Sequence, residues 1–577
     1  MLVAGILFAV FLLLSRTAYI NSIPVAMAPD ELIYALNAQV LSMTGTDLTG
    51  TWNPLSLTPF NLAFAELPAV IMAPAFWLID NPIVAGRATH VLLSLVLPFV
   101  FGWFVSGLFG NKKLFWFGVV MAAINPWFWQ FGRMSFDSYP ALFLFLLGTA
   151  VWWHYKPWKQ LTAVPIFLLA FFMYQGYKVV FVPWLGILAI TSIWQTYLSK
   201  KRPALKQFLK IPAVLSAGIL LLFGAVVLAW YALVALPDQS AKVRLNTLVL
   251  LDSELQATQV EAQRRLTIDN PLESVFSNKG TFIWHHVLER YARSTEPQLL
   301  FVTPEWHTNA FSVPHGFFYL IDGLALIAGG YLLLKNKRYH QVGVLLVGLT
   351  VVAQLAAVLH SSGHSYTFRS GLAYALLLAV VVLGVSHLWH KNHWWRVGLV
   401  VGYTLSVAVF SYHYFYSYPL VSTEGLYYQN RLLSEYVSRL PAGTKVSIHS
   451  EQSEGLLGSY LFYSDVVQAD IHDKIIEQDG SYQFEDITFT NDCVNPSDSE
   501  TVYVQDRLIK LCEDVQEATV SASVVMVKDS GALFHLYNDQ VCAPYELERF
   551  VQPNSLIDFD FPKMTDAEFC KTWLVKQ

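Results

Sequence analysis

The chain is 577 residues long, 54% hydrophobic and only 14% charged, against about 25% charged residues in an ordinary soluble domain. Aromatic residues make up 15%, and 37 Lys and Arg face 42 Asp and Glu. This excludes a disordered chain, a collagen-like chain and a nucleic-acid binder built on basic charge. The apolar runs point instead to a polytopic membrane protein.

A helix needs about 20 apolar residues to cross roughly 30 Å of hydrocarbon. Such runs fall at roughly 2–20, 88–109, 114–131, 138–153, 161–174, 179–198, 212–236, 316–334, 341–359, 371–387 and 397–412, and predict eleven spanning helices. The first run is short, but it lacks the basic flank and A-x-A-like site of a signal peptide, so it is read as a retained helix.

Five segments between the runs, at 110–113, 154–160, 200–210, 335–341 and 387–396, hold 14 Lys and Arg and no acid. The positive-inside rule makes them cytoplasmic. They follow every second run, so parity and charge predict one topology: N-terminus in the cytoplasm, C-terminus outside the cell membrane. The outer side then receives a first loop (21–87), a fourth loop (237–315) and a tail (413–577). The tail holds 26 of the acids. Lys445–His449 and Ser521–Val527 read as strands there, and 424–439 as a helix. A membrane domain over 1–412 and an extracytoplasmic α/β domain over 413–577 are expected, the latter large enough for its own core.

All four cysteines, Cys493, Cys512, Cys542 and Cys570, lie in that tail. An even number confined to an outside domain predicts two disulfides. Of the three pairings, sequence proximity favours Cys493 with Cys512 and Cys542 with Cys570. Four buried thiols are the alternative, and zinc is disfavoured because no C-x-x-C spacing occurs.

Candidate chemical groups gather in the outer segments. Pro29-Asp30-Glu31 sets two adjacent carboxylates just beyond the first span, where one can serve as a general base. Asp30 equally fits a helix cap for a helix over 31–43. Glu66 opens the apolar run 67–79, which is too short to span and reads as an interfacial helix. Arg133 and Asp137 flank the second outer turn, where a snorkelling Arg and a capping Asp are the plainer readings. Lys178 is a cation in a nearly continuous apolar region. His360, His364, Tyr366 and Arg369 cluster before the tenth span, and Arg suits phosphate through its planar fork. No Walker A, G-x-G-x-x-G or H-E-x-x-H pattern is present. Carboxylates and cations meeting beside hydrocarbon suit a lipid phosphate, with its tail in membrane lipid and its head at the interface.

Several stretches recur in a familiar order: Pro29-Asp30-Glu31, Thr44 to Gly50, Asn53-Pro54, Glu66-Leu-Pro68, Gly86-Arg87, Asn125-Pro126-Trp127, Arg133 to Asp137, Glu296 to Phe301, Pro314-His-Gly316 and His364 to Arg369. Over 21–412 they resemble the integral-membrane glycosyltransferases of family 39, which have the GT-C fold and include protein O-mannosyltransferases and lipid A aminoarabinose transferases. The resemblance implies a polyprenyl-phosphate sugar donor, an acceptor hydroxyl on a lipid, glycan or protein, and transfer with inversion on the outer face. By that analogy Asp30 is the general base and Glu31 helps position the site, while Glu66 and Asp137 match further acids. Arg369 and Tyr366 match the donor-phosphate contacts, with Lys178, Arg133 and His364 as further phosphate ligands. Family members have Glu-Lys where this chain has Glu66-Leu67, so Lys178 or Arg369 is expected to supply the missing cation. No tightly bound metal is implied, although bare carboxylates leave a divalent cation open. The rival expectation is a lipid or solute transporter with an extracytoplasmic binding domain, which would set its charges near the bilayer midplane between repeats.

Overall fold

The computed structural model describes residues 2–52, 64–199, 211–234, 247–303, 312–361, 366–513, 515, 519–527, 531–547 and 560–576. All eleven apolar runs carry helix. The labelled helices are α1 (Leu2–Thr17), α2 (Pro29–Thr44), α3 (Pro68–Met72), α4 (Pro82–Leu108), α5 (Leu114–Ile124), α6 (Pro126–Phe131), α7 (Ser138–His154), α8 (Ala163–Met173) and α9 (Lys178–Ser199). They continue with α10 (Pro212–Val234), α11 (Leu320–Lys335), α12 (His340–Ala353), α13 (Gly371–Lys391) and α14 (His393–Tyr412).

Among the described residues, six helices are long and apolar enough to cross a membrane: Pro82–Leu108, Gln175–Leu198, Pro212–Leu233, His340–Val358, Gly371–Lys391 and His393–Val421. The other predicted spans are shorter helices. The run 114–131 is broken in two, because Pro126 forces Asn125 out of the helical region, to ψ 130°. Apolar side chains such as Leu222, Ile327 and Leu334 face outward, as a protein solvated by lipid requires. The chain is a polytopic helical membrane protein carrying a C-terminal β-sheet.

Helix α13 is the central post, packed against α5, α7, α11, α12 and α14. Its closest approach is to α11, where a Cβ on Gly384 would lie 1.8 Å from the Ala325 carbonyl oxygen. Small residues at such crossings let helix backbones meet where the hydrophobic effect does not drive association. The run 67–79 forms α3 and a 3₁₀ turn, Ala73–Trp77, with Trp77 and Leu78 exposed.

In the tail, α15 (Tyr428–Ser438) precedes an eight-stranded sheet of order β2-β3-β4-β1-β5-β7-β6-β8. Strand β1 (Lys445–His449) pairs in parallel with β4 (Ile487–Thr490) on one side and β5 (Thr501–Asp506) on the other. Strands β2 (Ile475–Gln478), β3 (Ser481–Phe484), β6 (Ala522–Val525), β7 (Ala532–Tyr537) and β8 (Leu574–Val575) are antiparallel to their neighbours. Helix α16 (Ser453–Tyr463) follows β1 and packs on α15, β3, β4 and α2. Cys493 is bonded to Cys512 and Cys542 to Cys570, the pairing that proximity favours. The sheet region is tied to the first loop: the Met27 amide donates to Tyr463 at 2.8 Å, Gln39 donates to Asp465 at 2.8 Å, and Arg431 bonds the Val25 carbonyl.

Candidate active site

Pro29 occupies the first turn of α2, where its missing N–H costs nothing and its fixed φ suits the helix. The helix therefore starts two residues before the predicted 31–43, with Ala28 at the N-cap. Asp30 does not cap it. Glu31 does the closing work, its Oε2 accepting the Ala28 amide at 3.3 Å. Asp30 sits in the same turn, is exposed, and lines a cavity of about 130 Å³. Tyr34, four residues on and so on the same helix face, lines it too.

The cavity brings together four charged site residues predicted from the sequence, Asp30, Asp137, Lys178 and Arg369, and is also lined by His360 of the cluster before the tenth span. Each of the four lies at a helix end. Asp30 is in the first turn of α2, Asp137 is at the N-cap of α7, Lys178 begins α9, and Arg369 ends the short helix Tyr366–Arg369. Asp137 makes no capping bond, contrary to the capping reading. Its Oδ2 instead accepts the Tyr34 hydroxyl at 2.7 Å, and that hydroxyl accepts the Ala65 amide at 2.8 Å. The first loop, α2 and the second outer turn are thereby fixed to one another.

Lys178 is almost fully buried. Its ammonium donates to Glu66 Oε1 at 2.6 Å and stands 4.2 Å from the Tyr231 ring centroid. Burial raises the Glu66 carboxyl above the ordinary carboxylate range, and the Lys178 charge opposes that rise. Glu66 does not line the cavity; it holds the lysine that does. Arg369 presents a buried Nη1 that no described residue accepts from. The segment carrying it is braced by Trp127, which donates to the Thr367 carbonyl at 2.6 Å, and by Phe368, which stacks on Phe136 with centroids 5.7 Å apart.

Besides Glu66, three predicted site residues do not line the cavity. Glu31 is fully buried, with Oε1 accepting Arg87 Nε at 3.2 Å and the Ser135 amide at 2.8 Å. Arg133 is also fully buried, and its whole fork is consumed. It donates to Tyr414 at 2.8 Å and to the carbonyls of Ser15, Ala18 and Ile23. It satisfies open C-terminal carbonyls of α1 and does not line the cavity. Tyr366 is buried behind the cavity wall, with its carbonyl accepting from Tyr374 at 3.3 Å. His364 lies outside the described residues. Tyr34, Gln175 and Tyr231 line the cavity but were not singled out; for Tyr34 the i, i+4 spacing from Asp30 was the available signal.

Among the described residues no three His, Cys, Asp or Glu converge to hold a metal ion. Asp30 and Asp137 share the cavity with two cations instead.

No family model matches the chain, and no curated protein matches it. Solved structures show distant likeness. The Archaeoglobus fulgidus oligosaccharyltransferase in the apo form aligns with TM-score 0.37 and 13% identity over 80% of this chain; the chain spans 63% of that protein's length. ArnT from Cupriavidus metallidurans aligns in the apo state with TM-score 0.43 and 10% identity, over 81% of this chain and 85% of that one. Its form bound to undecaprenyl phosphate aligns with TM-score 0.40 and 12% identity, over 80% and 84%.

Proposed function

We propose that the chain is a glycosyltransferase that moves a sugar from a polyprenyl-phosphate donor to an acceptor hydroxyl on the extracytoplasmic face of the membrane. The observation that carries this reading is one cavity holding an exposed carboxylate, Asp30, together with Lys178 and the unsatisfied Nη1 of Arg369. A base and an anion site are what the reaction needs.

Asp30 takes the proton from the acceptor hydroxyl as its oxygen attacks the anomeric carbon. The bond from that carbon to the phosphate oxygen breaks, and the lipid phosphate leaves with the bonding pair. Lys178 and Arg369 stabilise the charge that develops on it. Asp137, held by Tyr34, adds a second carboxylate to the polar wall. Glu66 holds the Lys178 ammonium in place. Because every charged group in the cavity sits at a helix end, the arrangement favours an interfacial enzyme over a transporter, whose charges belong between repeats near the bilayer midplane.

The test is to incubate the purified protein in lipid nanodiscs with a panel of polyprenyl-phosphate sugars, together with a panel of hydroxyl-bearing lipid, saccharide and peptide acceptors, and measure release of the lipid phosphate. Release from one donor class is expected. Absence of release from every donor, with the protein folded, contradicts the reading.

A further inference from the structure

A second cavity, of about 460 Å³, lies on the other side of α2, between that helix and the tail. That volume is within the roughly 300–1,000 Å³ of small-molecule sites. Its floor is the α16 face carrying Gly455, Gly458 and Ser459. Gly in a helix interior costs about 1 kcal/mol relative to Ala, and here it leaves open space: a Cβ on Gly455 would meet nothing within 4 Å. The opposite wall is α2, from Pro29 to Asn37.

A smaller cavity, of about 160 Å³, adjoins it and shares Tyr427, Asn430 and Gln452 with it. This one is lined by Ser450, just past β1, and Asp506, the last residue of β5, whose side chains bond at 2.8 Å. The crevice beyond the carboxyl ends of parallel strands, where neighbouring strands lie on opposite sides, is where open α/β sheets bind ligands. Tyr427 stands where the cavities join, with φ +52°, a strained conformation for a non-glycine residue.

The lining chemistry selects among ligands. Side-chain amides dominate, supplied by Asn430, Gln452 and Gln429, and the carboxylates of Glu454 and Asp506 add hydroxyl acceptors. Gln452 is exposed; its backbone amide donates to Ser450 Oγ at 3.1 Å, and its side-chain amide makes no hydrogen bond to a described residue. Arg507 accompanies Asp506 in the smaller cavity, but among the described residues lining the larger one Glu454 is the charged group, so a phosphorylated headgroup would meet a carboxylate and no cation there, whereas neutral hydroxyls would be accepted by it. We infer that this groove binds the acceptor and that the acceptor is a neutral saccharide. Its near end is Pro29 and the first cavity begins at Asp30, so a saccharide crossing the exposed N-terminus of α2 presents a hydroxyl to the base.

This inference rests on the transferase reading, but binding is measured without transfer, so the two fail separately. The experiment is saturation-transfer NMR on the full chain in lipid nanodiscs with maltotriose, mannotriose and chitotriose. Wild type is expected to bind at least one. Gly455→Trp should abolish that binding by filling the groove. Gln452→Ala, at an exposed position that cannot unfold the protein, should weaken it by about fivefold, the value of one lost hydrogen bond near 1 kcal/mol. No trisaccharide binding by wild type, or wild-type affinity in Gln452→Ala, overturns the inference. So does Gly455→Trp-sensitive binding of a Ser/Thr-rich decapeptide in place of any saccharide. Saccharide binding without lipid-phosphate release from any donor leaves the groove standing and removes the transferase reading.

Discussion

The Tyr34 hydroxyl donates to Asp137 Oδ2 at 2.7 Å, joining side chains 103 positions apart. The same oxygen accepts the Ala65 amide at 2.8 Å, so one atom aligns three segments of the cavity wall. Tyr34→Phe removes that oxygen and strands a buried N–H. The expected cost is roughly 1–3 kcal/mol. Part of it should appear as displacement of Asp137, lowering turnover about tenfold for each 1.36 kcal/mol lost at the transition state. The check is lipid-phosphate release and thermal unfolding measured on one preparation; unchanged turnover would show that Asp137 needs no tether.

Arg369 and Lys178 are assigned to the leaving phosphate. Arg369→Ala should lower turnover by about 10²–10³-fold, as loss of one preorganised donor to a developing anion does. Arg369→Lys should recover only part, because an ammonium keeps the charge but not the planar fork. Kinetics against donor concentration decide this: donor dependence identical to wild type in Arg369→Ala removes the phosphate role.

Glu31 and Arg87 form a fully buried pair, with Arg87 also donating to the carbonyls of Ile20, Pro24 and Ala26. Removing either partner leaves an uncompensated buried charge, so Glu31→Gln and Arg87→Met should each cost about 3–5 kcal/mol of stability. The measurement is thermal unfolding in nanodiscs. A catalytic role for Glu31 would instead give a stable, inactive Glu31→Gln protein.

The disulfides Cys493–Cys512 and Cys542–Cys570 close loops of 19 and 28 residues. Loops of that length are stabilised by about 3 kcal/mol per bond in the chain-entropy view. Peptide mapping without reductant should recover these two linkages alone, and Cys542→Ser with Cys570→Ser should lower the unfolding midpoint of the tail. Free thiols in protein isolated from intact cells would contradict the proposed extracytoplasmic location of the tail.

Much of this was legible in the chain because its signals are local. Apolar runs became helices, β1 and β6 fell where alternation predicted them, and the cysteines paired with their nearest partners. Asp30, Asp137, Lys178 and Arg369 were identifiable as charges beside apolar runs, and they converge. What local pattern cannot carry is direction. Asp30 and Glu31 are adjacent, and consecutive helical side chains point about 100° apart. Which of them faces the cavity depends on Arg87, 56 positions from Glu31. Arg133 has the chemistry of a phosphate ligand, but its destination is the end of α1, more than 100 residues away. The groove beside α16 was invisible for a related reason: its glycines become a cavity only once α2 is packed opposite them.

The proposed transfer turns on Asp30. Asp30→Asn preserves size, leaves the Glu31 contact to Ala28 intact and removes only the capacity to take a proton. The decisive measurement is lipid-phosphate release from the active donor in the presence of acceptor, with folded protein quantified in parallel. Wild-type amounts of folded Asp30→Asn protein with transfer abolished are expected. Wild-type turnover by that variant would contradict the assignment of Asp30 as the base.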